Sequence, residues 1–599
     1  MRKTPRPLDR CFAAGPADWR FSTALPGRHR LRAACFPAIA VAVAISFLSA
    51  PTVAAAAGNG ARTVAIAKAG SATAGGVVRV KKRRRRLHTP LPYDAVALAL
   101  AKAAGRDTAR PDSASSESAP RAAVSAPKMV QGFDGPRDAR YAPSDSTSAV
   151  GRTRYVQLVN GRVNLTDKNG VGSGSGTLAD FFGWPSATDV FDPQVIWDAS
   201  TNRFYMVAAV AISGSQHYLA YAFSKTDTPT GAGSFCQYAI GPFYLFPDYP
   251  KLGDTKTALL IGVNTFSQDD SFVEADLYSI AKPPAGSGCP DPDSMIVQSF
   301  GPLRTADGNL AFTPVPANQI DGASSGAIVG LSLPSSAASN TGGLVLWKAT
   351  SDATGYVTLQ DVKGVKIVVP GYSIPQNAPQ PGSPSDLDTL DGRLTQAVSA
   401  INPARSNAVS LWTQHTVSHP LTVAQPIVNG AEVRWYEIGI DTNTLNATGK
   451  LTSQTRFYFN GSISPDRAVD GTKVKFGNTM VLQASATSTG ILPTNPTSPQ
   501  SPYLPQLYPS IVAVSKATGQ AQSSPVTVFN GREVLDDFSC NNSTDTCRWG
   551  DYSALTPDPT PPTAATRGRL WGINQLGDGP KDLGPYLGTW SSYSFIIDP

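Results

Sequence analysis

From about residue 150 onward, apolar residues come in short runs bounded by Gly, Pro, Asn, Asp and Ser. No stretch keeps a helical apolar period through three turns. RYVQLVN (154–160), NRFYMVAAVAI (202–212), ALLIGVN (258–264), AIVGLSL (327–333), VSLWTQHTV (409–417) and WSSYSFIID (590–598) are representative. Rich in β-branched and aromatic residues, they predict strands and an all-β protein. A looser unit organises them: a short opening strand, a polar turn, then a stronger apolar strand. It begins at residues 191, 248, 312, 393, 460 and 548. A four-stranded propeller blade takes ~40–50 residues plus loops, so each interval holds one blade with insertions. The expectation is a single β-propeller of six blades, with room for a seventh around LYPSIVAVSK (507–516). Pairing Arg154–Asn160 with Trp590–Asp598 would close the ring and remove its free edges. A pair of β-sandwiches is the rival arrangement.

The N-terminal 132 residues have a different character. Arg28, Arg30 and Arg32 precede an apolar run over 33–57 that ends in small residues, the pattern of a signal peptide over 1–57. An uncleaved membrane anchor is the alternative, weakened by Pro37 and Pro51. Residues 58–132, rich in Ala, Ser, Arg and Pro, have too few core-forming side chains and are expected to be disordered. Within them, KKRRRR (81–86) reads as a solvated charge run, or else as a processing site or polyanion-binding arm. A short helix over 94–104 would be capped by Asp94. The propeller is then expected over 133–599.

Charge divides the chain at the same place. Residues 1–130 carry 22 Lys and Arg against 6 Asp and Glu, whereas the remaining 469 carry 29 against 38. An acidic body lacks the clustered cations that a phosphate backbone requires, so nucleic acid is excluded as its partner. Only five of the 44 acids are Glu, and Asp favours turns over helices. Beyond the leader, Cys236, Cys289, Cys540 and Cys547 remain, an even number as disulfides require. Of the three pairings, Cys236 with Cys289 and Cys540 with Cys547 close the shortest loops. Membrane contact is expected only through the signal segment, and the protein is expected to be a monomer.

DPQVIWDASTNRFY at 192, DYPKLG at 248, LDTLDGRLTQAVS at 387 and RWGDYSALTPDP at 548 resemble recurring segments of secreted bacterial sialidase-like β-propeller proteins, most of them uncharacterised. The resemblance covers roughly residues 150–599 and implies an extracellular location and glycan contact. The chain departs from true sialidases in having neither an S-x-D-x-G-x-x-W box nor a recognisable three-arginine clamp.

In a propeller the opening strands converge on the axis, so the residues where they begin line a funnel. This places Asp192, Asp248, Tyr249, Arg393, Gln396, Asn460, Arg548, Asp551 and Tyr552 at one mouth. Glycoside hydrolysis needs one carboxyl as acid and a second as nucleophile or base, and Asp192, Asp248 and Asp551 are the candidates. Tyr249, Arg393, Gln396, Asn460, Arg548 and Tyr552 would bind substrate. Each Asp could equally cap a turn. Asp386, Asp388 and Asp391 have the oxygen density of a calcium loop without its spacing, and no cofactor other than calcium is expected. His217, His415 and His419 read as ordinary histidines, and GASSG around Ser324 lacks the helix of a nucleophile elbow. Nucleotide, zincin, dinucleotide and c-haem motifs are missing. The expected function is an exported propeller that binds or processes an extracellular glycan through its funnel. The alternative is a non-catalytic surface or adhesion propeller.

Overall fold

Several strands are apolar on both faces, as RFYMVAAVAI is, because each blade is covered by a neighbour on either side. The computed structural model describes residues 61–69, 85–86, 102 and 124–599, apart from 213–215, 333–342, 422–427, 490–505, 541–545, 562–564 and 580–588. The expected signal peptide, most of the basic run and most of the expected helix over 94–104 lie outside the described residues. Among the described residues no helix is long and apolar enough to cross a membrane.

The strands form seven antiparallel blades. Blade one is Thr147–Val150, Arg154–Val159, Arg162–Asp167 and Gly172–Thr177. The others open with Asp189–Asp198, Phe246–Asp254, Ala311–Pro316, Leu394–Asn402, Phe457–Pro465 and Ala554–Pro557. These seven opening strands touch one another in a closed circuit, which makes the fold a propeller and excludes two sandwiches. The core lies between blades in successive layers. One such layer sets Val207, Leu219 and Tyr221 of blade two against Leu259 and Ile261 of blade three.

Two details differ from expectation. The seventh blade precedes the first recognised repeat, and Leu507–Ala517 is instead the third strand of blade six. The closing strand is Lys128–Asp134, paired with Thr589–Asp598, while Arg154–Val159 stays within blade one. Part of the segment expected to be disordered is also ordered. Ile66–Lys68 adds a fifth strand to blade two, and Arg62–Thr63 one to blade three. Alternate backbone groups of an outer strand have no partner within the blade, and a short segment with little core-forming capacity can still pair with them.

Both expected disulfides are present. Cys236 in the outer strand of blade two joins Cys289, which precedes the outer strand of blade three, and Cys540 joins Cys547.

Four of the seven opening strands carry the same device. Pairing registers shift between Phe191 and Gln194, Asp248 and Lys251, Phe312 and Val315, and Phe459 and Ser462. In each of these bulges one residue has left-handed backbone: Asp192, Tyr249, Thr313 and Asn460, with φ between 48° and 54°. A bulge frees a buried N–H that needs a partner. Asn160 Oδ1 accepts from the Asp192 N–H at 2.9 Å, and Asn264 Oδ1 from the Thr313 N–H at 2.8 Å. An amide side chain of one blade therefore locks the bulge of the next. Glycine permits the close approach: a Cβ on Gly262 would lie 2.0 Å from the Pro314 carbonyl oxygen. Gly262→Ala must force blades three and four apart and is expected to lower stability by about 1–3 kcal/mol, read from the urea midpoint.

Candidate functional site at the axial mouth

A polar cluster assembles where the opening strands begin. It comprises Asp145, Asp192, Asp248, Asp551, Lys251, Arg393, Arg548, Tyr249 and Tyr552, none more than 6% exposed. Lys251 Nζ lies 3.9 Å from the centre of the Tyr249 ring and 3.4 Å from that of Tyr552, with no hydrogen-bond partner. The tyrosines are held in turn: Tyr249 donates to the Asp551 carbonyl at 3.1 Å and Tyr552 to the Pro193 carbonyl at 3.1 Å. Arg393 lies over the Tyr249 ring at 4.7 Å and grips Asp391 through two bonds of 2.8 Å. Arg548 donates to Asp551 at 2.6 Å. Asp145 accepts from the Asp551 N–H and the Asn160 amide, both at 2.7 Å. One oxygen of Asp248 is buried without a partner.

Four carboxyls in one dry volume cannot all ionise at their usual pH. Burial, followed by the charge of Asp551, raises Asp248 to about 7, although Arg393 draws it the other way. Burial also raises Asp145 and Asp192, and neighbouring carboxylates add to the effect. A hydrogen bond between these two side chains partly offsets the shift on Asp192. Burial lowers Lys251, opposed by Asp192, Asp145 and Asp551. Proton donors and acceptors therefore coexist near neutral pH, as acid–base chemistry requires.

The mouth is sealed, contrary to an open funnel. Asp386–Leu387 pairs in parallel with Thr546–Cys547, so the segments before blades five and seven meet. Beneath them Ala378, Leu387, Leu535, Cys540, Cys547 and Trp549 pack on Phe459 and Trp590. Lys102 reaches in from the N-terminal segment to Asn377 at 2.6 Å and Asp388 at 3.3 Å. Asp388 also faces Arg548 at 3.7 Å, and Asp391 is taken by Arg393. Asp386, Asp388 and Asp391 therefore do not converge as a calcium loop would. Among the described residues no three metal-ligating side chains gather into a cation site.

Two of the expected binding residues belong to blade-joining networks. Gln396 donates to the Leu555 carbonyl at 2.9 Å and accepts from the Ile463 N–H at 3.1 Å. Asn460 donates to Asn574 at 3.1 Å. His415 is buried between the Gly392 carbonyl and the Tyr436 hydroxyl, and burial lowers it to about 3, so it stays neutral. His419 pairs with Glu432 at 3.1 Å, and His217 packs edge-on against Phe246 at 5.2 Å. Asp145 and Lys251 went unrecognised in the sequence. Asp145 belongs to the overlooked blade, although Lys251 lies in plain view within DYPKLG, two residues after Tyr249.

The fold and site define a seven-bladed β-propeller with a charged cluster sealed on its axis. No family model and no curated protein matches the chain. Among solved structures, similarity extends to the Dos1 propeller, with 11% identity over 78% of this chain and 94% of that one and a TM-score of 0.34. The Trypanosoma rangeli sialidase in complex with sialic acid has 10% identity over 73% and 57%, with a TM-score of 0.31. The GH43 endo-arabinanase from Bacillus licheniformis has 10% identity over 53% and 100%, with a TM-score of 0.25.

Proposed function

We propose that this chain is an exported propeller that binds or processes an extracellular glycan at the axial cluster. The observation that carries the reading is Lys251, an ammonium with no hydrogen-bond acceptor, buried beside carboxyls pushed toward neutral pH. Such a group costs stability, and groups of this kind gather where a ligand or a reaction needs them. In this reading the Asp145–Asp192 pair supplies the proton for the leaving oxygen. Asp248, with its free oxygen, acts as base or nucleophile, and Arg393 and Tyr249 orient the sugar. Access requires the segments before blades five and seven to part. Two disulfides agree with an oxidising compartment.

The test incubates the full secreted chain with polysaccharides and aryl glycosides and scores both release and binding. Asp192→Asn and Asp248→Asn are expected to cut turnover by at least ~100-fold with folding intact. Turnover that survives both substitutions removes the aspartates from the chemistry. The burial of the whole cluster favours a second reading, a non-catalytic binding propeller, for which binding without release is the expected result. Neither binding nor release sinks both readings.

A further inference from the structure

One tie on the cover of the axial cluster comes from outside the blades. Lys102 stands in no blade strand, yet it is only 8% exposed. Its ammonium donates to Asn377 at 2.6 Å and faces Asp388 at 3.3 Å, and its carbonyl accepts from the Gln376 amide. All three partners belong to the segment before blade five. Asn377 donates in turn to Thr546 at 3.2 Å, which carries the tie to the segment before blade seven. The two segments also meet directly, because the Asp388 N–H donates to the Cys547 carbonyl at 3.0 Å. Behind Asp388, at 3.7 Å, stands Arg548, which holds Asp551 of the cluster. A single lysine therefore bears on both segments that must part before anything reaches the aspartates.

The chain is anchored on either side of Lys102. Before it, Arg62–Thr63 and Ile66–Lys68 lie on the outer edges of blades three and two. After it, the Val124 N–H donates to the Ala521 carbonyl at 3.1 Å and the Ser515 hydroxyl to the Ser125 carbonyl at 2.8 Å, both on blade six. The arm is thus fixed at two sides of the ring and tied down at the axis between them. Residues 58–132 have few core-forming side chains, so polar contacts such as those of Lys102 carry much of its attachment. Attachments with little apolar burial open locally at low free energy, as a releasable tie requires.

We infer that the N-terminal arm is an autoinhibitory latch, in which Lys102 holds the cover shut and keeps a glycan from the aspartate cluster. This regulation rests on the cluster being the glycan site, whereas the latch itself is read without any ligand. The test is amide hydrogen exchange on the full secreted chain, followed at the hydrogen-bonded cover amides of Ala378, Leu387 and Asp388. Lys102→Ala should speed their exchange by about tenfold, while Val207 and Leu219 in blade two keep theirs. Lys168→Met removes a lysine–aspartate pair of 2.6 Å elsewhere and should leave the cover amides within about twofold of the wild type. Unchanged cover exchange in Lys102→Ala overturns the latch. Equal quickening in blade two also overturns it and makes Lys102 a structural pin. On the panel of polysaccharides and aryl glycosides, Lys102→Ala should raise binding or release by about tenfold. Quickened cover exchange with glycan binding and release unchanged from an active wild type removes this inference alone. Quickened cover exchange with no binding or release by either protein supports the latch and removes the proposed function.

Discussion

Lys282→Met is expected to destabilise the protein by about 3–5 kcal/mol, the largest loss for any single side chain considered. Lys282 Nζ lies 2.7 Å from Asp254 and 3.3 Å from Asp198, and all three side chains are at most 4% exposed. Asp198 ends the opening strand of blade two and Asp254 that of blade three, while Lys282 follows the third strand of blade three. Asp254 also accepts from the Gln319 N–H at 2.7 Å, and Gln319 pairs with Ser399, which extends the tie to blade five. Removing the ammonium leaves two buried carboxylates facing each other with no cation. Because burial already raises Asp254 to about 6, the loss should shrink at about pH 5, where Asp254 takes a proton instead. Urea unfolding of the variant at both acidic and neutral pH measures this. A loss below about 1 kcal/mol at neutral pH would mean that the triad does not hold the blades together.

Lys251→Met is expected to do the opposite. Its ammonium rests on two aromatic faces with no acceptor, and Asp192 and Asp145 beside it are held toward their neutral forms. Near pH 5 those carboxyls are protonated and need no cation, so an apolar side chain of similar length should stabilise by about 1–4 kcal/mol. The gain should shrink as pH rises, because the aspartates ionise and the native lysine sheds its own proton. The wild-type profile follows the same linkage. Asp248 and Asp276 are raised to about 7, and Asp254 and Asp466 to about 6, in each case chiefly by burial. The native state therefore keeps protons that the unfolded chain releases from about pH 4 upward, and stability falls as pH rises through these values. Glu432 acts in the other direction. Its partners His419, Arg434 and Lys450 lower it to about 2 against the cost of burial, so its contribution is present above its unfolded pKa and is lost on acidification toward 2. The thermal midpoint should accordingly be higher at about pH 5 than at about pH 8. Lys251→Met destabilising at pH 5 as much as Lys282→Met would show that Lys251 is a structural pin.

The contrast between these lysines marks how far local pattern reaches. DYPKLG places Lys251 two residues after a bulge residue, but nothing in that hexapeptide says that no acceptor will stand near the ammonium. Lys282 sits in a strand-to-loop junction with no acidic neighbour in sequence, and both its partners arrive from other strand ends. Asp192, Asp248, Tyr249, Arg393, Arg548, Asp551 and Tyr552 were legible together because each stands where an opening strand begins. Gln396 and Asn460 share that position yet serve blade-to-blade networks, since their long or flexible amides reach backbone and amide partners in other blades.

The sequence by itself determined the all-β class, six blade starts, an even set of four cysteines and the separation of a basic N-terminal part from an acidic body. These depend on local periodicity, on composition, or on counting a few cysteines. Tertiary structure alone decided which of the three cysteine pairings forms, that a seventh blade precedes the first repeat, that Lys128–Asp134 closes the ring, and that the axial cluster is covered. The reason is physical: a strand announces itself within eight residues, whereas the identity of its neighbour and of whatever covers the axis depends on the packing of segments hundreds of residues apart.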